Sequence, residues 1–128
     1  MIAPATVIVV DDDPSVRRGV ERLLRAAGYR VETYASGEEF LTRGPVAGPC
    51  CLVLDVRMPG QGGLELYQTL TASGRHLPAV FITGHGDIPT VVRAMRAGAV
   101  DFLAKPFDDQ ELLDAVDQAL NGKRRDSG

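Results

Sequence analysis

Four short apolar runs of the 128-residue chain are followed by side chains that can do chemistry: Asp11 and Asp12 after the first run, then Asp55, Thr83 and Lys105 after the other three. Three carboxylates brought together repel one another, so such a site should hold a cation or raise a carboxyl pKa. Oxygen ligands without Cys or clustered His suit Mg²⁺ or Mn²⁺. A carboxylate, a divalent ion, a lysine and a hydroxyl are the groups needed to form and hold an aspartyl phosphate.

The elements that must position these groups alternate strand and helix along the chain. Apolar runs predict strands, apolar residues at helical spacing predict five helices between them, and the predicted strands are 7–10, 30–34, 51–54, 79–82 and 101–104. Only 30–34 alternates polar and apolar residues, which predicts an edge strand, whereas the other four are predicted to be buried or nearly so.

This pattern predicts an α/β fold, a flavodoxin-like (βα)5 doubly wound parallel sheet with right-handed crossovers. The edge-like second strand favours the strand order 2-1-3-4-5, in which the switch point lies between the first and third strands. Asp11, Asp12 and Asp55 follow these two strands. The sequence therefore predicts that the three carboxylates meet in the crevice of the fold.

Helix starts are signalled by capping residues. Asp13 precedes Pro14 and can accept from the free amides of the first predicted helix. Ser36, with Glu39 three residues on, predicts a capping box at the start of the second.

Composition limits the classes of function. A net charge of −3 gives no general reason for nucleic-acid binding, and no apolar run is long enough to cross a membrane. The start of the chain lacks the features of a signal peptide, so a cytoplasmic protein is expected. The adjacent Cys50 and Cys51 are a poor disulfide or zinc pair and are expected to be buried apolar residues.

Over 7–120 the chain resembles the receiver domain of two-component response regulators. The matching motifs are Val10-Asp11-Asp12-Asp13, Asp55 with Met58-Pro59-Gly60, Ile82-Thr83-Gly84 and Lys105-Pro106-Phe107. The stretches 82–87 and 97–102 look most like receivers of the FixJ and NtrC kinds of transcription factor. The expected domain is 1–121, with 122–128 a tail or the start of a linker to an output domain.

The resemblance implies that Asp55 accepts a phosphoryl group from a phosphohistidine of a sensor histidine kinase. Asp12 and Asp55 would ligate Mg²⁺ directly, Asp11 would act largely through water, and the backbone carbonyl of Arg57 would complete the protein ligands. The only catalysis implied is the domain's own phosphoryl transfer and autodephosphorylation.

The resemblance also implies a conformational switch. Lys105, joined to Pro106 by a cis bond, would pair with the phosphoryl group, and Thr83 would move to hydrogen-bond it. Phe102 would follow inward and change the face formed by the fourth helix, fifth strand and fifth helix. DNA would be reached only through an output domain outside this chain, and no membrane contact is implied.

Two positions are candidates for tuning the phosphoryl lifetime. Arg57 and His85 each lie two residues past a site residue and would flank an attacking water, although both can equally be solvated loop residues. Gly62 stands where many receivers carry a larger or polar residue, which predicts a more mobile loop.

A dimer face on the fourth helix is the last expectation. Relatives of this kind form phosphorylation-dependent homodimers through it, and the candidate residues are Val91, Val92, Arg93, Met95 and Arg96. Ordinary packing against the sheet explains the same pattern equally well.

Two other classes of function use similar residues. A haloacid-dehalogenase-type phosphohydrolase would use Asp11 as nucleophile in an Asp-x-Asp pattern with Asp13, but it leaves Asp55 without a role. Its final acidic pair should end a strand, whereas Asp108 and Asp109 are predicted to begin a helix. The third class is a receiver-like scaffold that is never phosphorylated, which the complete set of site residues disfavours.

Overall fold

The structure is a computed structural model, and it describes residues 5–58, 60–84 and 88–121. Five strands alternate with five helices in the order β1 (Thr6–Val10), α1 (Pro14–Ala26), β2 (Arg30–Tyr34), α2 (Gly37–Arg43), β3 (Cys50–Asp55), α3 (Gly63–Ala72), β4 (Ala79–Thr83), α4 (Ile88–Arg96), β5 (Asp101–Ala104) and α5 (Asp109–Asn121). Within the described residues, no helix has the length and apolar character needed to cross a membrane.

All strand pairs are parallel, and the sheet has the order β2-β1-β3-β4-β5. This confirms the predicted flavodoxin-like fold and strand order. In the register, Val10 lies beside Leu54 and Asp55 lies beside Ile82. The carboxyl ends of β1, β3 and β4 therefore meet at one edge of the sheet, where the fold places its crevice.

β5 is less buried than its apolar run predicted, although the predicted strand order already placed it at an edge. This strand is the second edge of the sheet, and only Leu103 of its four residues is buried. Its neighbour Phe102 is 38% exposed. An apolar run does not by itself show whether a strand has a neighbour on both sides, and β5 has only β4.

Two apolar cores lie on opposite faces of the sheet because successive strand residues point to opposite sides. Val9 packs into the core shared with α1 and α5, where Leu112 is fully buried. Ile8, the preceding residue of β1, packs into the other core with Phe40 of α2 and Leu66 of α3. β1, β3 and β4 are thus held from both faces, which fixes the strand ends that carry Asp11, Asp55 and Thr83.

The capping predictions are confirmed. The side chain of Asp13 accepts hydrogen bonds from the N–H groups of Ser15 and Val16 at the start of α1. At the start of α2, Ser36 Oγ accepts from the N–H of Glu39. The Glu39 carboxylate accepts in return from the N–H of Ala35, the residue before the cap.

Both cysteines are free and buried, as expected. Burial raises the pKa of the Cys51 thiol to about 12, so it stays protonated at neutral pH. These thiols act as small apolar core groups.

Candidate acidic active site

Three carboxylates meet at the carboxyl ends of β1 and β3. Ligand oxygens of Asp11, Asp12 and Asp55 all lie within 4.8 Å of one another. Asp11 is 1% exposed and Asp55 is 7% exposed, whereas Asp12 faces solvent. The register of β1 against β3 produces this cluster, because it ends both strands at the same level.

Asp11 is held at three points. Its N–H donates to the carbonyl of Tyr34 at 3.1 Å, its Oδ1 accepts from the N–H of Asp13 at 2.9 Å, and its carbonyl accepts from Arg17 Nη1 at 2.7 Å. The remaining oxygen, Oδ2, is buried and has no hydrogen-bond partner within the described residues. It lies 3.8 Å from Lys105 Nζ. A buried carboxylate oxygen without a hydrogen bond is costly unless a cation completes it.

Asp55 is the carboxyl whose ionisation the site perturbs most clearly. Burial and the neighbouring Asp11 raise the pKa of Asp55 to about 6. The N–H of Arg57, which donates to Asp55 Oδ1 at 3.1 Å, and Lys105 Nζ, 4.0 Å from Oδ2, oppose the rise, while Asp12 adds to it. The raised pKa reports repulsion among the carboxylates, which a bound cation would relieve.

Two glycines at the start of α3 allow the turn from β3 to pass close to the end of that strand. A Cβ at Gly63 would overlap the carbonyl oxygen of Asp55. A Cβ at Gly62 would lie 2.7 Å from the carbonyl oxygen of Val56. The close backbone explains why a glycine stands at position 62. The greater loop mobility expected from Gly62 stays a prediction. The role of Gly63 was missed, although the Gly-Gly pair was a visible signal.

Thr83 and Lys105 are brought to the same edge by β4 and β5. Thr83 ends β4 with 3% exposure, and its carbonyl accepts from the N–H of Lys105 at 2.8 Å. The Lys105–Pro106 bond is cis, as the resemblance implied. Phe102 lies on β5 with 38% of its surface exposed.

Of the two candidate lifetime residues, the structure places one. The Arg57 side chain is exposed at the rim of the site. His85 lies outside the described residues, as do Pro59 and the segment 122–128.

The candidate dimer face on α4 divides into a buried and an exposed part. Val91 is buried, so it offers little surface to a second copy, and its part in the face stays a prediction. Val92 and Met95 are each 39% exposed, and Arg93 and Arg96 face solvent. Helical periodicity identified the amphipathic element but did not show which of two adjacent valines points to the sheet.

Two of the acids that the phosphohydrolase alternative requires, Asp13 and Asp108, cap helices instead. Asp13 caps α1. Asp108 and Glu111 cap α5 reciprocally, through Glu111 N–H to Asp108 Oδ1 at 2.9 Å and Asp108 N–H to Glu111 Oε1 at 3.0 Å. These carboxylates stabilise helix ends and do not stand at strand ends.

Comparison with known proteins defines the class. The family model for the response regulator receiver domain matches residues 7–117. The chain belongs to this family.

Nodulation protein W of Bradyrhizobium diazoefficiens is 51% identical, over 94% of this chain and 53% of its own length. The transcriptional regulatory protein FixJ of Azorhizobium caulinodans is 45% identical, over 95% of this chain and 57% of its own. The chain thus spans about half the length of these curated relatives.

Solved structures give the same result. The response regulator StyR has a TM-score of 0.87 at 55% identity, covering 93% of this chain and 60% of StyR. The FixJ-N structure has a TM-score of 0.87 at 39% identity, and the match covers 96% of this chain and 98% of the FixJ-N chain. The expected likeness to the FixJ and NtrC kinds is confirmed, and the chain is a response regulator receiver domain, a class of domain that is generally not a metabolic enzyme.

Proposed function

We propose that this domain is a phosphorylation-activated switch in which Asp55 accepts a phosphoryl group from the phosphohistidine of a sensor histidine kinase. The observation that carries the proposal is the placement of Asp55 at the end of β3, with carboxylate oxygens of Asp11 and Asp12 within 4.8 Å and Lys105 Nζ 4.0 Å from Asp55 Oδ2. A nucleophilic carboxylate and a cation for the incoming group are thereby present in one crevice.

In the proposed step, a carboxylate oxygen of Asp55 attacks phosphorus while the P–N bond of the phosphohistidine breaks. The electron pair of that bond returns to the imidazole nitrogen of the kinase, and an acyl phosphate forms on Asp55. Lys105, already between Asp11 and Asp55, pairs with an oxygen of the transferred group. Thr83, buried at the neighbouring strand end, supplies a hydroxyl donor to another. The work of the protein is positioning and charge compensation.

The residues present fit a divalent ion. The donor set is all oxygen, the cluster lies within 4.8 Å, and the buried Asp11 Oδ2 has no hydrogen-bond partner within the described residues. We assign Asp12, Asp55 and the backbone carbonyl of Arg57 as direct ligands of Mg²⁺ (or Mn²⁺), with Asp11 acting largely through water. When bound, the ion offsets the charge of the carboxylates and of the transferring phosphoryl group.

The output of the switch is proposed to be the face formed by α4, β5 and α5. Thr83 and Phe102 would move together on phosphorylation and change this face. Three apolar side chains on α4 are exposed, Ile88 at 64% and Val92 and Met95 at 39% each, which supports a phosphorylation-dependent homodimer.

The wider role of the protein is also proposed. Residues 1–121 form the receiver, and 122–128 begin a linker, or form a tail. A DNA-binding output domain outside this chain would carry the transcriptional function that the name of FixJ states. Its place would be the cytoplasm, and its only catalysis would be its own phosphoryl transfer and autodephosphorylation, with Arg57 and His85 tuning the lifetime.

The test is intact-mass analysis after incubation with acetyl phosphate. The wild type should gain one phosphoryl group only when Mg²⁺ is present, and Asp55→Asn should gain none. Asp114→Asn, an exposed carboxylate on α5, is the matched control and should be phosphorylated like the wild type. Phosphorylation of Asp55→Asn, or gain of the group without a divalent ion, would contradict the proposal. Steady phosphate release that is lost in Asp11→Asn would favour a hydrolase.

A further inference from the structure

We infer that Arg17 is a positioning residue for the metal site: its bond to the Asp11 carbonyl fixes the turn that carries Asp11 and Asp12 in the geometry that Mg²⁺ requires. This inference depends on the proposed function, because it concerns the same site. It assigns a role to a basic side chain that makes no contact with the transferred group in the proposed step.

The bond spans the turn between β1 and α1. Arg17 belongs to the first turns of α1, where its own N–H donates to the carbonyl of Asp13 at 2.9 Å. Its guanidinium reaches back to the carbonyl oxygen of Asp11 at 2.7 Å, and the side chain is half-buried. A short bond from a charged donor is stronger than a neutral one. These bonds therefore tie the turn formed by residues 11–13 to the start of α1.

The consequences for Asp11 and Asp12 differ. Asp11 has two further ties, through its N–H and its Oδ1, which leave only Oδ2 to turn toward the cluster. Asp12 is exposed, and within the described residues no hydrogen bond holds its carboxylate. The backbone of the turn therefore sets the direction of the Asp12 Cα–Cβ bond, from which its carboxylate reaches the cluster. The side-chain hydrogen bond that reaches the Asp11 carbonyl of this turn comes from Arg17.

A metal site gains affinity when its ligands are held in place before the ion arrives. Partners that orient the ligands of a metal typically contribute 10–100-fold to affinity. An arginine beside a cation site would otherwise weaken it by charge repulsion. The two effects have opposite signs, so the affinity for Mg²⁺ separates them: loss of positioning weakens binding, and loss of repulsion alone strengthens it.

The experiment is a titration of the wild type and three variants with Mg²⁺ alone, followed by calorimetry and by the shift of the urea midpoint. Arg17→Met removes both the charge and the bond, and it should bind Mg²⁺ about 10-fold more weakly. Arg18→Met removes the same charge from the next, exposed position and should not weaken binding. Arg17→Lys keeps the charge and one donor, and it should recover part of the affinity, to within about threefold of the wild type.

Circular dichroism in EDTA confirms that each variant is folded before its affinity is compared. If Arg17→Met does not fold, Arg17→Lys carries the test, because its loss of affinity should still exceed that of Arg18→Met. A folded Arg17→Met that binds Mg²⁺ as tightly as the wild type, or more tightly, would overturn the inference while the proposed function stands. Absence of Mg²⁺ binding by the wild type would instead overturn both.

Discussion

Replacing Asp55 with Asn should stabilise the metal-free protein at neutral pH, although it removes the proposed phosphoacceptor. Burial and Asp11 raise the Asp55 pKa from its ordinary value of 3.8 to about 6. The shift of about two pKa units means that ionising this carboxyl costs the folded state up to about 3 kcal/mol, at about 1.4 kcal/mol per unit. Asn has the shape of the neutral acid and keeps an oxygen for the Arg57 N–H. We expect a gain in the free energy of unfolding of about 1–3 kcal/mol.

The same shift fixes the sign of the pH dependence. Because the folded pKa of Asp55 lies above the unfolded value, the folded state binds the proton more tightly than the unfolded chain. The contribution of this group to stability in EDTA is therefore present below about pH 4 and is lost as the pH rises to about 6. In Asp55→Asn this part of the pH dependence should disappear.

The assay is urea unfolding followed by far-UV circular dichroism, since the chain has no tryptophan. With a slope of about 1–3 kcal/mol per molar urea, the expected gain should raise the midpoint by roughly 1 M. Measurements in EDTA at about pH 4.5 and 7.5 bracket most of the transition of Asp55. Asp114→Asn, at an exposed position of α5, is the control for removal of one negative charge.

The result that would refute this reasoning is specific. If Asp55→Asn is no more stable than the wild type in EDTA near neutral pH, the carboxylates do not repel one another as their burial and spacing imply. An unchanged pH dependence in the variant would place the titration on another group. A similar gain in Asp114→Asn would show that total charge, and not the cluster, controls stability.

The remaining predictions concern the helix that starts beside the acceptor and the face of α4. Gly63→Ala should lower the free energy of unfolding by about 2–3 kcal/mol, because its Cβ meets the backbone carbonyl of Asp55. Gly19→Ala, where a Cβ finds open space in α1, should instead raise it by about 0.5–1 kcal/mol, and urea unfolding measures both. Equal effects at the two glycines would contradict the close approach. Met95→Glu should leave phosphorylation intact but abolish the phosphorylation-dependent dimer in size-exclusion chromatography, whereas Gln68→Glu on exposed α3 should not. A dimer that survives Met95→Glu would exclude the exposed α4 face.

The sequence by itself determined the alternation of strands and helices, their order and which acidic residues meet at one edge of the sheet. Short apolar runs separated by capped helices have few ways to fold, and the alternating pattern of 30–34 identified β2 as an edge. Because parallel strands carry their carboxyl ends to one side, residues after separate strands could be assigned to one crevice before any distance was known. The acidic cluster of Asp11, Asp12 and Asp55 has the predicted position.

Only the tertiary structure decided the contacts that depend on the docking of one element against another. The exposure of three of the four β5 residues to partial or full contact with solvent was decided in this way, since an apolar run does not show how completely the helices cover it. Val91 is buried and Val92 exposed because the rotation of α4 on the sheet, and not its periodicity, divides adjacent residues. The hydrogen bond from Arg17 to the Asp11 carbonyl and the close approach of Gly63 to the Asp55 carbonyl depend on distances between a strand end and a helix. Such distances are fixed only when the helices pack, and on them depend the geometry and the charge balance of the site.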